Sequence, residues 1–368
     1  MTGTERTTLQ SSPRLFWLTL LVLFVFMAAL LTEGLVRVRQ YLKYGATRAD
    51  VNAYHYDPGA ELSVPRPGQM SRSIWINSLG FRSPELANPK PKGTLRLAFL
   101  GASTVFCAEV SSNEATWPHL VTAALRRAWP DVRFDYLNAA VSGYGTIQSI
   151  RNLEYRVTPQ KPDVIVLYGD LPNDLSKDTR EEAARQGIIR GAVDDFGWFS
   201  RYSLTWFLIE KNLQVWQRQK HANQAEERHL VFDPEALSRG FEARLQELAE
   251  KAAKLAPAVV MPTFSQRLRR DQPPSVQLRA ANTDLYYMPH MTIDGLLKGF
   301  EEYNRVTRMV ARKVGAVLIE GEDAVPADDL HFTDSVHFTD AGSAWMARRV
   351  ADGLMQADAF RKLVADSR

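Results

Sequence analysis

Cysteine is almost missing from this chain: Cys107 is the only one in 368 residues. A single thiol cannot close an internal disulfide and cannot build a cysteine-rich metal site. It lies four residues after Ser103 and reads as a small buried side chain. An excess of one charge sign is missing as well. Forty-five basic residues face 42 acidic ones, and a formal net charge of +3 is too small and too spread out to mark a nucleic-acid partner. No internal repeat or low-complexity tract stands out. With 45% hydrophobic and 24% charged residues, the chain is long enough for one large or two modest globular domains.

Apolar residues are plentiful, above all near the N-terminus. Residues 15–31, LFWLTLLVLFVFMAALL, run for 17 positions without a charge, and the apolar character continues past Glu33 to Val36. That approaches the length of a helix that crosses a bilayer. A cleaved signal peptide competes, but the apolar stretch is long for one and no clear small-x-small site precedes Thr32. The expectation is a transmembrane helix over 15–36 after a cytoplasmic tail, 1–14. Arg6 and Arg14 precede the span, whereas Arg37, Arg39, Lys43 and Arg48 follow it. Counted strictly, these charges place the C-terminal side in the cytoplasm. Long segments translocate largely regardless of charge, so the expectation here is a single-pass inner-membrane protein with its main domain outside the cytoplasm.

Residues 37–93 read as a tether and a small N-terminal extension, broken by Pro58, Pro65, Pro67, Pro84, Pro89 and Pro91. Within it, SIWINSLGFRSPE (73–85) predicts a short edge hairpin packed on the core. From 94 to 368 strand and helix patterns alternate. Apolar runs at 95–100, 133–140, 163–168, 257–262 and 315–320 are separated by helical stretches at about 113–128, 146–156, 235–255 and 295–313, with a last helix from about 340. This alternation predicts a parallel sheet covered on both faces, with reactive groups gathered beyond the C-terminal strand ends. Ser103, Gly143 and Asn173 each lie just past such an end. A helical insertion at about 175–234 interrupts the pattern. Its aromatics, Phe196, Trp198, Phe199, Tyr202, Trp206, Phe207 and Trp216, fit either a lid or acyl-binding wall, or a helix packed on the core.

Ser103 follows a predicted strand in LRLAFLGASTVFC, where an ordinary turn serine is the common alternative to a nucleophile. A serine hydroxyl reacts only if a base takes its proton, a further group orients that base and donors stabilise the oxyanion. Of seven histidines, two have an acid at suggestive spacing, both in DDLHFTDSVHFTDAG (328–342). Asp328–His331 and Asp334–His337 share the Asp-x-x-His interval, in which a turn aspartate can fix the imidazole tautomer. His337 precedes a segment that Thr339 or Asp340 can cap into an apolar-faced helix, so His337 is assigned as base and Asp334 as its orienter. A metal held by His331, Asp334 and His337 is the weaker alternative, because no further ligand motif supports it. Gly143 in LNAAVSGYGTIQ would let a backbone N–H approach closely, and the Asn173 amide in LYGDLPNDL would donate from its side chain.

Taken together, these segments resemble the SGNH (GDSL-type) hydrolase superfamily, whose four blocks appear in order over residues 96–345. FLGAST matches the nucleophile block at Ser103, NAAVSGYG the glycine block at Gly143, GDLPND the asparagine block at Asn173, and DSVHFTDAG the final block at Asp334 and His337. Ala102 replaces the usual aspartate before the serine, and Leu171 stands where a glycine is expected. The Gly-x-Ser-x-Gly elbow of α/β-hydrolases does not fit, since residue 105 is Val.

The resemblance implies a flavodoxin-like three-layer α/β/α sandwich with a five-stranded parallel sheet, here preceded by one membrane helix. It also implies ester chemistry without metal or cofactor, with the oxyanion held by the N–H groups of Ser103 and Gly143 and by Asn173. The expected substrate is an acyl ester of an envelope glycan or lipid. Transfer of the acyl group to a surface polysaccharide and a non-catalytic binding module are the alternatives.

Overall fold

The structure is a computed structural model that describes residues 13–44, 53–189, 197–222 and 229–367. Most of the expected tail at 1–14, and Phe196, lie outside these residues. The chain divides into two compact units, one from Met1–Arg48 with Val193–Gln214 and one from Ala49–Ala192 with Val215–Arg368.

In the first unit a single helix runs from Pro13 to Tyr44. Its segment Arg14–Leu42 has a mean hydropathy of 2.6 over its most apolar window, with none of that window buried in the protein. By length and composition it can cross a membrane. A second element, Leu204–Ala222, follows a short turn of 3₁₀ helix at Trp198–Arg201. Around it, Trp198, Phe199 and Tyr202 are each more than 60% exposed and Trp206 is 48% exposed.

Among its described residues the second unit holds nine strands. Two antiparallel hairpins come first: β1 (Tyr54–Asp57) with β2 (Leu62–Pro65), and β3 (Gly68–Ser71) with β4 (Ile74–Ile76). The parallel sheet follows, made of β5 (Thr94–Leu100), β6 (Arg133–Asn138), β7 (Val164–Leu167), β8 (Ala258–Pro262) and β9 (Val317–Ile319). All seven residues of β5 are buried, as are all of β7 and β8. Continuous apolar runs are what a parallel sheet covered on both faces requires. One group of mutually packed helices comprises Trp117–Ala128, Asp340–Gln356 and Asp358–Asp366. Another comprises Thr146–Asn152, Leu171–Arg185, Pro234–Leu255 and Ile293–Val314.

The strand order is β6-β5-β7-β8-β9, the second, first, third, fourth and fifth strands of this sheet. This is the flavodoxin-like order expected from the sequence. The chain leaves β5 on one side to form β6 and then crosses to the other side for β7, so the crevice of the fold opens beyond the C-terminal end of β5. The helix Leu171–Arg185 runs through position 175, where the insertion was expected to begin. Leu175, Thr179 and Ala183 are buried there, so the first part of that stretch belongs to the main fold.

The N-terminal extension is built into the core. Ile74, Ile76 and Phe81 join the main hydrophobic cluster, and Arg82 is 1% exposed. Arg96, on the interior strand β5, is equally buried. Its Nε and Nη2 hold both carboxylate oxygens of Asp135 on β6, at 2.8 and 2.7 Å, and it also donates to the Ala87 and Gln160 carbonyls. Losing one member of such a pair leaves the other without a counter-charge. Arg96→Met is expected to lower the unfolding free energy by about 3 kcal/mol, read as a fall in the urea midpoint. An unchanged midpoint would show that the clamp contributes nothing.

Candidate active site

Ser103 opens a short helix, Ser103–Phe106, directly after β5. The turn that delivers it depends on Gly101, whose φ is +152°. A Cβ at Gly101 would lie 1.7 Å from the Tyr168 carbonyl oxygen at the end of β7. Gly169 approaches as closely, since its Cβ would lie 2.2 Å from Thr104 Oγ1. Only glycine lets the two strand ends come this near. Ala102 is 1% exposed and fits as a small residue in that turn. From below, Arg82 donates to the Phe106 carbonyl at 2.8 Å and to the Cys107 carbonyl, and so holds the end of the short helix. Cys107 closes it in the left-handed conformation, with φ +58°.

His337 and Asp334 come from a tight loop. Phe332 and Phe338 form an antiparallel bridge, and the Thr333 N–H donates to the His337 carbonyl at 2.9 Å. Asp334 Oδ1 accepts the N–H groups of Val336 and His337, both at 2.9 Å, so its carboxylate is fixed by its own turn. Its Oδ2 lies 2.8 Å from His337 Nδ1. On the far side of the ring, His337 Nε2 lies 2.7 Å from Ser103 Oγ. Thr339 caps the helix that follows by accepting from the Gly342 N–H, whereas Asp340 turns away to bind the N–H and hydroxyl of Ser111.

The other Asp-x-x-His copy has the same local geometry. Asp328 Oδ1 accepts the His331 N–H at 3.0 Å and lies 2.7 Å from His331 Nδ1. That ring packs edge-on against Trp345 instead of meeting Ser103.

The two expected donor loops are tied to each other. Gly143 has φ +86° with open space around it, and neither its N–H nor that of Ser103 has an acceptor among the described residues. Asn173 Nδ2 donates to the Tyr144 carbonyl at 2.6 Å, which uses one of its two amide hydrogens. The neighbouring Asp174 accepts the N–H and the hydroxyl of Thr146, at 2.8 and 2.7 Å, while Arg244 holds its other oxygen. Leu171, in place of glycine, is buried in the first turn of the helix that carries Asn173.

Some supporting residues carry no sequence signal. Arg82 comes from the extension, and Asp174 is one more acid on a polar helix. Ser335 accepts from Thr283 and Asp284 N–H groups across 52 and 51 residues. Asp284 is buried, and its Oδ2 has no hydrogen-bond partner. Burial, with the negative charge of Asp334, pushes its carboxyl well above the usual carboxylate range.

A five-stranded parallel α/β sandwich with a serine, a histidine and oriented donors at its switch point is the frame of an ester hydrolase, and this protein is an esterase. The sequence model of the GDSL-like Lipase/Acylhydrolase family matches residues 99–345, and the chain belongs to that family. Among solved structures it is similar to an acetylxylan esterase from Geobacillus stearothermophilus, at 15% identity and TM-score 0.43, covering 72% of this chain and 95% of that one. It is also similar to LAE5, an alpha/beta hydrolase enzyme from the metagenome of Lake Arreo, Spain, at 15% identity and TM-score 0.43, covering 70% of this chain and 94% of that one. No curated protein matches.

The site's electrostatics centre on the imidazole. Burial would lower the pKa of His337. The hydrogen bond to Asp334, joined by the charge of Glu109, outweighs burial and lifts it to about 9. For Asp334, burial opposes ionisation, but the His337 contact and its two turn N–H groups hold it below the usual range. A raised histidine pKa stabilises the fold while the ring is protonated. That contribution is complete below the unfolded value of 6.5 and is lost as pH rises through about 9. An NMR titration should therefore find the His337 ring still charged at neutral pH, and Asp334→Asn should move its midpoint down. A midpoint left in place by that substitution would show that Asp334 does not set it.

Proposed function

We propose that the protein is a membrane-anchored serine esterase in which Ser103 is the nucleophile, His337 the general base and Asp334 the residue that orients the base. The contact of 2.7 Å between His337 Nε2 and Ser103 Oγ is the observation that carries this reading. Once His337 loses its extra proton, Nδ1–H still donates to Asp334 and Nε2 accepts the Ser103 O–H. Ser103 Oγ then attacks the acyl carbonyl carbon while its proton passes to Nε2. The negative oxygen of the tetrahedral intermediate is held by the N–H groups of Ser103 and Gly143 and by the remaining amide hydrogen of Asn173. Collapse expels the alcohol, which takes the proton from His337. Water repeats the sequence on the acyl-serine, with His337 again the base, and releases the carboxylic acid.

The helix Pro13–Tyr44 is long and apolar enough to serve as the anchor; an inner-membrane location with the catalytic domain outside the cytoplasm belongs to the proposal. An enzyme held at that surface meets acylated glycans and lipids of the envelope, and these are the proposed substrates. If the acceptor were a sugar hydroxyl in place of water, the same residues would transfer the acyl group to a polysaccharide.

Ser103→Ala is expected to reduce hydrolysis of an activated acetyl ester by roughly 10⁵–10⁶-fold and to abolish labelling by a fluorophosphonate. Unchanged turnover in that variant would sink the assignment. Asn173→Ala should cost about 10²–10³-fold in kcat with little change in KM, since its amide acts on charge that exists only in the transition state. Acyl transfer to a glycan acceptor that outpaces hydrolysis would favour the transferase over the hydrolase.

A further inference from the structure

The first unit joins two features that the esterase reading leaves unused. The uncharged run of the helix Pro13–Tyr44 ends at Glu33. The Glu33 carboxylate accepts the N–H groups of Leu204 and Thr205, at 2.9 and 3.0 Å, and the Ser203 hydroxyl at 2.8 Å. The same carboxylate pairs with Arg37, whose Nη2 reaches the Tyr202 carbonyl. The helix Leu204–Ala222 is thus capped at its N-terminus by the place where the apolar helix gains its first charges. Those orphan N–H groups and the positive end of the helix dipole satisfy the carboxylate.

What this junction presents outward is aromatic. Trp198 lies edge-on to Phe199 and tilted against Tyr202, with ring centroids 5.1 and 4.9 Å away, and Phe199 adjoins Trp206 at 6.5 Å. Glu210 holds the turn in place by accepting from the Gly197 N–H and the Ser200 hydroxyl. Along the helix, Trp206, Ile209 and Leu213 recur at every third or fourth position and are each about half exposed. Across residues 201–220 the charged residues are Arg201, Lys211, Arg218 and Lys220 against Glu210 alone. An apolar, aromatic face within a segment of basic excess suits anionic lipid headgroups, and tryptophan and tyrosine favour that depth.

We infer that Trp198–Leu213 forms an interfacial foot: its aromatic face lies in the headgroup layer beside the point where the anchor helix leaves the bilayer. The occupant of this face is the lipid surface, because Glu33 and Arg37 tie it to the membrane-exit end of that helix. The inference rests on the proposed anchor.

The test uses the full-length protein in vesicles of phosphatidylcholine and phosphatidylglycerol, with a bimane label on one introduced cysteine at a time. Native Cys107 is buried, and unaltered protein supplies the labelling blank. Labels at Trp206→Cys, Ile209→Cys and Leu213→Cys should shift their emission to the blue and be quenched by lipid-borne nitroxides. A label at Lys211→Cys should keep aqueous emission. Leu23→Cys reports the anchor itself. If Leu23→Cys is quenched at depth while positions 206, 209 and 213 stay aqueous, the foot is wrong and the anchor stands. If Leu23→Cys is also aqueous, the anchor fails and the foot fails with it. Unchanged turnover of a soluble ester by each variant checks that it has folded.

Discussion

The candidate site depends on how closely two strand ends can approach. β5 and β7 finish with Gly101 and Gly169 packed against the Tyr168 carbonyl and the Thr104 hydroxyl, at separations that exclude a Cβ. That approach turns the chain sharply enough to place Ser103 at the first position of a helix, with no acceptor for its N–H among the described residues and its hydroxyl against His337. A β-carbon at Gly101 would collide with the Tyr168 carbonyl and push the strand ends apart, and one at Gly169 would collide with the Thr104 hydroxyl beside Ser103. The rest of the site is arranged around this turn and adds rigidity to it. Arg82 holds it from below, using a guanidinium whose burial is matched by carbonyl acceptors.

Coupling between loops recurs throughout the site. Asn173 and Asp174 are neighbours on one helix, and each reaches the loop after β6, one through the Tyr144 carbonyl and one through Thr146. The spacing of the Gly143 and Asn173 donors is therefore set by hydrogen bonds between their own loops. A similar economy governs charge. Asp334 is kept ionised by its turn and by His337, while Asp284 nearby is driven toward its neutral form by burial and by the charge on Asp334. The two carboxyls are thus pushed in opposite directions, Asp334 toward its ionised form and Asp284 toward its neutral one.

In the first unit a different constraint rules. The uncharged run of the long apolar helix ends at Glu33, and that first carboxylate takes its donors from the start of the helix Leu204–Ala222. The helix that supplies them brings exposed tryptophan, tyrosine and phenylalanine to the same level. Aromatic exposure that would be costly in water is favourable at a lipid surface.

Much of the main fold was legible in the sequence. The five apolar runs are the five strands of the sheet, because a doubly covered parallel strand is apolar along most of its length, the paired Arg96 and Asp135 being the exception. Ser103, Gly143, Asn173, Asp334 and His337 stand in short local motifs whose spacing depends on turn geometry, and so they could be named one by one. The two Asp-x-x-His copies show where local pattern stops. Both make the same turn and the same imidazole contact, so nothing within either loop distinguishes them. Tertiary packing alone brings His337 to a serine 234 residues away and leaves His331 against Trp345. Arg82, Asp174 and Asp284 were invisible for the same reason. The sequence by itself determined the sheet, its strand-end motifs and the apolar helix, which follow from periodicity and local turns. Only the tertiary structure decided how the assigned His337 reaches Ser103, what supports the turn and where the aromatic face points, because these depend on contacts between segments far apart in the chain.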